Sequence, residues 1–254
     1  MDIDLNADLG EGFGPWRMGE DEALLDIVSS ANVACGFHAG DPVIMDRTVR
    51  MARQRGVDVG AHVGFPDLMG FGRRPMQIET KELVAYVLYQ LSALEGMART
   101  AGHRMTHMSF HGALGNMAAA DAALAEPLVR AVADFDPSLT VSTSASRAIE
   151  GAAERCGLRV RTTFLADRAC GDDGLLVPRK LPGAVIHERD AVLARVRQLL
   201  EEGTVTSSAG KKIPMRVHSI LLHGDTPGAV DLARAVRGVV EKAGRVVPIS
   251  KQST

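Results

Sequence analysis

The chain is 254 residues long, carries a net charge of −2 at pH 7, and is 46% hydrophobic and 24% charged. This composition supports a large hydrophobic core and argues against overall disorder, while near-neutral charge with scattered Lys and Arg excludes a basic surface for nucleic acid. No apolar run approaches the roughly 20 residues of a membrane span, and the first residues lack a signal-peptide pattern. The three cysteines have no metal-type spacing and are an odd number, so we expect a cytoplasmic protein. The near-neutral charge and the lack of a long apolar run lead us to expect a small-molecule partner, not nucleic acid or a membrane.

Apolar runs of strand length alternate with longer segments of helical period, which is the pattern of β/α units around a parallel sheet. Strands are predicted at residues 3–7, 30–36, 58–62, 105–110, 140–143, 159–164 and 219–222. Helices are predicted at residues 20–28, 42–55, 81–101, 120–132, 147–156, 189–201 and 229–243. Four glycines directly after helices are predicted to be left-handed C-caps: Gly56, Gly102, Gly157 and Gly244.

About seven β/α repeats without an intervening linker favour one seven-stranded β/α-barrel domain over residues 1–254. A doubly wound open sheet is the structural alternative. The least regular segment, residues 168–183, contains Gly-Asp-Asp-Gly and two prolines. Its composition is typical of a binding loop and equally of a plain surface excursion.

The first predicted strand carries polar residues at alternate positions. Asp4, Asn6 and Asp8 therefore point to one face, and Glu11 follows in a glycine-rich turn that allows a ligand close to the backbone. These residues line a pocket if that face is the barrel interior. The alternative is a solvated strand edge followed by an ordinary turn.

Histidines follow the second and third strands. His38 and His62, together with Asp8, form an N,N,O set of the kind that binds a divalent ion or positions a substrate carboxylate and water. Taken singly, each histidine is more typical of a structural residue. Asp41 is either a pocket residue or the N-cap of the helix that begins at Pro42.

Further polar residues follow the fourth and last strands: His111 and Asn116, then His223 and Asp225. If the barrel closes, the last strand lies beside the first, and His223 becomes an acid/base candidate. Asp225 and Thr226 could instead cap the final helix. Arg73 could bind a carboxylate or phosphate, or be solvated. We assign no role to the histidines in apparently ordinary contexts: His103, His107, His187 and His218.

Motifs along nearly the whole chain identify a resemblance. They are DLNADLGEGFG from Asp4, ANVACGFHAGD from Ala31, GAHVGFPD from Gly60, GFGRR from Gly70, HGAL from His111, ADR from Ala166 and HGDTPGA from His223. The sequence resembles the LamB/YcsF family, which contains the A subunits of bacterial 5-oxoprolinase. The resemblance implies a seven-stranded β/α barrel related to polysaccharide deacetylases. It also implies ATP-dependent opening of 5-oxoproline to L-glutamate together with subunits B and C. Because the chain has no phosphate-loop motif, ATP would be shared with those subunits.

The family pattern also implies a site. Its members here are Asp8, Glu11, His38, His62, His111 and His223. We predict five catalytic residues, namely Asp8, Glu11, His38, His62 and His111. We predict six substrate-binding residues, namely Asn6, Asp41, Arg73, Asn116, His223 and Asp225. Ser109 and Gly115 stand where the family usually has Lys and Tyr.

Lactam chemistry suggests roles for these groups. Asp8 or His38 would be the general base toward water, and His62 or His111 would stabilise the oxyanion or protonate the nitrogen. Two alternatives stay open. One is a metal-dependent amidohydrolase or deacetylase that uses Asp8, His38 and His62 as ligands, and the other is a non-catalytic paralogue that binds a small acid.

Overall fold

The computed structural model describes residues 1–225 and 228–252. The strands in these ranges are β1 (Asp2–Leu9), β2 (Ser30–Ala34), β3 (Asp58–Val63), β4 (Met105–Phe110), β5 (Thr140–Thr143), β6 (Arg159–Leu165), β7 (Thr204–Thr206), β8 (Lys212–Pro214), β9 (Ser219–Leu222) and β10 (Arg245–Val246). The α-helices are α1 (Asp21–Leu25), α2 (Pro42–Arg55), α3 (Thr80–Thr100), α4 (Gly112–Ala120), α5 (Ala122–Phe135), α6 (Arg147–Arg155), α7 (Arg189–Glu202) and α8 (Ala229–Ala243).

Seven parallel strands close into a barrel in the order β1-β2-β3-β4-β5-β6-β9, and β9 pairs back onto β1. The closing pair joins Asp4 to Ser219 and Ala7 to Leu222 in register. Below this pair, β10 adds to β1 at Asp2 and Ile3. The predicted seven-stranded β/α barrel is therefore confirmed. The open doubly wound sheet is excluded because β9 pairs with both β6 and β1, which leaves none of the seven strands at an open edge.

The helices cover the barrel with apolar faces, as the periodicity predicts. In α3, Leu83, Val87, Leu91 and Leu94 are buried. Helix α2 starts at Pro42 and stops at Gly56, whose φ of 67° is the left-handed C-cap that was predicted. No helix in the described ranges is long and apolar enough to cross a membrane.

The structure differs from the sequence-based prediction in three places. The segment from 112 to 135 forms two helices, α4 and α5, because Asp121 has extended backbone and its side chain caps α5. Gly244 has an extended φ of −179° because the chain passes directly into β10. A Cβ there would collide with the carbonyl oxygen of Met1. The β7–β8 hairpin was also missed, since its strands are only three residues long.

Candidate active site at the carboxyl ends of the barrel strands

Four side chains converge where neighbouring strands end. They are Glu11, His38, His62 and His111, all buried, with one potential ligand atom from each within 4.8 Å of the others. These residues lie at or just after the ends of β1 to β4. Parallel strands place their carboxyl ends on one face of a barrel, so this face gathers residues that are far apart in the chain.

The imidazoles are held in defined orientations. Nδ1 of His111 lies 2.9 Å from Nε2 of His62, and Nε2 of His111 lies 2.8 Å from the carbonyl oxygen of Phe71. Because a carbonyl only accepts hydrogen bonds, His111 carries its proton on Nε2, and in the neutral ring Nδ1 presents a lone pair toward His62. The ring of His38 stacks on that of His111 with centroids 3.7 Å apart.

Asp8 lies beside this cluster. Its Oδ2 is 3.4 Å from Nε2 of His62, and its Oδ1 accepts a 2.9 Å hydrogen bond from Nδ2 of Asn32. Burial acts to raise the pKa of Asp8, but the charge interaction and hydrogen bond with His62 outweigh it and hold the pKa well below its ordinary value. Asp8 is therefore a carboxylate at neutral pH.

The cluster itself contains groups whose charged forms are disfavoured. Burial and the nearby Asp8 carboxylate raise the pKa of Glu11 well above its usual range. Burial, followed by the neighbouring His62, lowers the pKa of His38 well below its usual range. Burial also lowers the pKa of His111, with His38 and His62 adding to the effect. Both rings are therefore neutral at physiological pH, the form that binds metals and donates hydrogen bonds.

Beneath the cluster, a polar network orients Asn32. Nε2 of His107 lies 3.2 Å from Oδ1 of Asn32, and Nδ1 of His107 lies 2.9 Å from the hydroxyl of Thr106. Burial lowers the pKa of His107 to about 4, so a neutral ring donates from Nε2 to the Asn32 oxygen. The Asn32 amide nitrogen then faces Asp8.

Sequence reasoning missed His107, which is 1% exposed inside the barrel. The signal that could have revealed it is Gly60. His107 and Gly60 are register partners on β4 and β3, and a Cβ on Gly60 would overlap the His107 ring. The glycine leaves space for that imidazole across the strand.

Three of the predicted substrate-binding residues have other partners or positions. Asn6 is buried below Asp8, where it donates to Asp4 and Ser219 and accepts from Asn32. Asp41 is the N-cap of α2, because its carboxylate accepts from the backbone N–H groups of Val43 and Ile44 at 2.9 Å. Asn116 is exposed on the second turn of α4. These three residues therefore lie outside the cluster of Glu11, His38, His62 and His111.

The other three predicted substrate-binding residues, His223, Arg73 and Asp225, belong to two buried or half-buried ion pairs. Nδ1 of His223 is 2.8 Å from Oδ2 of Asp167, and Nη2 of Arg73 is 2.8 Å from Oδ2 of Asp225. Burial acts to lower the pKa of His223, but Asp167 reverses this and raises it above its ordinary value. The carboxylate of Asp225 therefore forms an ion pair with Arg73. Thr226 and Pro227 of the predicted motif lie outside the described residues.

Ser109 and Gly115, the two departures from the family pattern, both have local explanations. Oγ of Ser109 lies 2.7 Å from Nδ1 of His62, so it fixes the ring on the side away from Asp8. Gly115 lies in α4 with its Cα so near β4 that a Cβ would be 2.6 Å from the carbonyl oxygen of Phe110. A larger residue at 115 would require the start of α4 to move.

The donor set fits a divalent ion of the zinc type. Three imidazoles and a carboxylate are common zinc ligands, and ligand atoms around tetrahedral zinc are about 3.3 Å apart. Here Nε2 of His38 lies 3.2 Å from Glu11, and Nδ1 of His111 lies 3.8 Å from the same Glu11 oxygen. The metal ligands predicted from the sequence were Asp8, His38 and His62. The compact set in the structure keeps the two histidines and has Glu11 and His111 in place of Asp8.

A closed barrel of seven parallel strands with a histidine–carboxylate cluster at its carboxyl-end face defines a β/α-barrel protein with an enzyme-type site. The chain belongs to the LamB/YcsF family, whose model matches residues 3–254.

Similar proteins cover the chain almost end to end. It is 66% identical to a 5-oxoprolinase A subunit of Ralstonia nicotianae, covering 99% of this chain and 97% of that protein. It is also 66% identical to a 5-oxoprolinase A subunit of Pseudomonas syringae pv. tomato, covering 99% and 98%. Among solved structures, a lactam utilization protein from Thermus thermophilus superposes with a TM-score of 0.91 at 40% identity, covering 98% of this chain and 99% of that one.

Proposed function

We propose that this chain is the A subunit of a 5-oxoprolinase, which hydrolyses the lactam of 5-oxoproline to L-glutamate with ATP hydrolysis and with subunits B and C. The proposal is supported by relatives of that name at 66% identity over nearly the full length. The observation that carries it is the convergence of Asp8 with the Glu11, His38, His62 and His111 cluster on one face of the barrel.

Hydrolysis of a lactam needs a base for water and an acid for the ring nitrogen. Asp8 suits the first role because it stays ionised, and because Asn32 holds Oδ1 while Oδ2 faces His62. Water would lose a proton to Asp8 while its oxygen adds to the carbonyl carbon. ATP would activate the carbonyl by transferring its terminal phosphoryl group to the oxygen, with release of ADP. Cleavage of the C–N bond would then leave an acyl phosphate, and a second water would hydrolyse it to the carboxylate of L-glutamate and inorganic phosphate.

The developing negative charge and the departing nitrogen both need proton donors. His62 lies beside Asp8 and would donate a hydrogen bond from Nε2 to the oxygen. His111 would position the His62 ring, because its own N–H points to the carbonyl oxygen of Phe71. Asp167 raises the pKa of His223 and so favours its protonated form. In this structure Nε2 of His223 accepts from Arg179 at 3.4 Å and so carries no proton. Once protonated at Nε2, His223 would give that proton to the ring nitrogen as the C–N bond breaks, leaving the amine of L-glutamate.

The direct test is release of L-glutamate from 5-oxoproline by this chain mixed with the B and C subunits from the same source. We expect glutamate only when ATP and this chain are both present. Failure of this mixture, under conditions in which a 5-oxoprolinase from another source is active, would contradict the proposal.

A metal-dependent amidohydrolase is the second candidate, favoured by the four donor atoms that lie within 4.8 Å. Glu11, His38, His62 and His111 would hold the ion, which would supply Lewis-acid polarisation of water or of a carbonyl. In this case the isolated chain would cleave an amide without ATP, and a chelator would stop it. Turnover that needs ATP and survives chelation would exclude this candidate.

A further inference from the structure

Arg179 contacts His223 and has no other role in the chemistry above. It belongs to the long connection between β6 and α7, and its Nη2 lies 3.4 Å from Nε2 of His223. Among the described residues, His223 is the hydrogen-bond partner of the Arg179 side chain, and no carboxylate oxygen lies within 4.0 Å of the guanidinium nitrogens. The nearby Arg73 differs, because it pairs with Asp225.

The connection that carries Arg179 is folded back on itself. The side chain of Arg168 donates to the carbonyl oxygens of Ala184 at 3.1 Å and Val177 at 2.8 Å. The backbone N–H of Val177 bonds to the carbonyl oxygen of Ala169 at 3.0 Å. These bonds hold the backbone in place two residues before Arg179, and its side chain reaches His223 from there.

A half-buried guanidinium without a carboxylate partner is electrostatically unfavourable. Burial and the nearby Arg73 both lower the pKa of Arg179, which shows that its charge is poorly compensated. Asp8, Asp167 and Asp225 act on it only from beyond contact distance. A guanidinium presents a planar fork of donors that matches a carboxylate, and an arriving anion would satisfy donors that the protein leaves free.

We propose that Arg179 binds the carboxylate of the substrate and so restricts the site to small cyclic amides that carry an acid group. This inference rests on the proposed function. In 5-oxoproline the carboxylate is attached to the carbon next to the ring nitrogen. A residue that holds the carboxylate must therefore lie beside the residue that protonates the nitrogen, and Arg179 and His223 are in contact.

The experiment compares ligands with and without the acid group. Binding of 5-oxoproline and of 2-pyrrolidinone, which lacks the carboxylate, is measured by ligand-observed NMR for the full chain and for Arg179→Gln. We expect the unaltered chain to prefer 5-oxoproline, and Arg179→Gln to weaken that ligand about 10- to 100-fold while leaving 2-pyrrolidinone unchanged. Arg179→Lys should recover part of the preference. The matched control is Arg234→Gln, an exposed arginine on α8 that pairs with Asp231.

A third arm distinguishes a substrate carboxylate from a nucleotide phosphate. ATP and inorganic phosphate are titrated into the same variants. Loss of ATP or phosphate binding with 5-oxoproline binding intact would overturn the proposal, as would equal binding of the two lactams by the unaltered chain, or binding of neither.

Glutamate release by the mixture with subunits B and C is scored separately. Turnover without discrimination between the lactams overturns the role of Arg179 alone. Discrimination without turnover overturns the oxoprolinase assignment and leaves the carboxylate site in place.

Discussion

Nδ1 of His111 and Nε2 of His62 lie 2.9 Å apart, although the two residues are separated by 49 positions in the chain. His111 carries its proton on Nε2, toward the carbonyl oxygen of Phe71, so its lone pair faces His62. The contact requires either a proton on Nε2 of His62 or an ion shared by both rings. The same pair of atoms would suit either proton transfer or metal binding, and the predictions below separate these uses.

Replacing Asp8 with Asn should remove the base without disturbing the fold, because the amide has the same shape and keeps one oxygen. We expect glutamate release by the assembled enzyme to fall by about 10²- to 10⁴-fold, with little change in the melting temperature. Asp26→Asn is the control, since Asp26 is an exposed carboxylate that pairs with Arg55. A variant at position 8 that keeps most of its turnover would remove Asp8 from the mechanism.

Zinc binding to the isolated chain should depend on the four-residue cluster. We expect calorimetric titration to show one tight site, and His62→Ala or Glu11→Gln to weaken it about 10-fold or more. The control is His187→Ala, because His187 is exposed outside the cluster. Equal zinc affinity in all these variants would show that the cluster is not a metal site.

Acid should destabilise the fold through His107. Burial lowers the pKa of His107 from 6.5 to about 4. Between pH 6.5 and pH 4 the imidazole is therefore protonated in the unfolded chain and neutral in the folded chain. The free energy of unfolding therefore falls as the pH drops from 6.5 to 4, by on the order of 3 kcal/mol from this side chain. Urea titrations across this window should show a shallower dependence for His107→Gln than for His187→Gln. Identical slopes would mean that His107 takes up its proton equally in both states.

Two glycine substitutions should act in opposite directions. Gly60→Ala would place a methyl group into the ring of His107, and overpacking of this kind costs about 1–3 kcal/mol. Gly238→Ala lies within α8, where a Cβ has no atom within 4 Å, so it should stabilise the helix by up to about 1 kcal/mol. Chemical denaturation measures both changes. If the two variants had the same stability, the close approach of His107 to Gly60 would be refuted.

Much of the site could be predicted because its residues follow strands that are recognisable locally. His38, His62 and His111 were all predicted at strand ends, and the structure brings them together with Glu11. Asn116 lies outside the cluster because the unpredicted helix α4 starts at Gly112 and leaves position 116 exposed. Asp41 lies outside it as well, and its carboxylate caps α2, which was the alternative that the sequence offered.

The sequence by itself determined the alternation of strands and helices and the order of polar residues at strand ends, since these depend on periodicity and turn chemistry over short distances. Only the tertiary structure decided which of these residues meet. Closure joins β1 to β9, at opposite ends of the chain, and strand register places His107 over Gly60. Such pairings depend on packing between distant segments, so local patterns do not encode them. The same packing brings the side chains of Arg179 and His223 into contact.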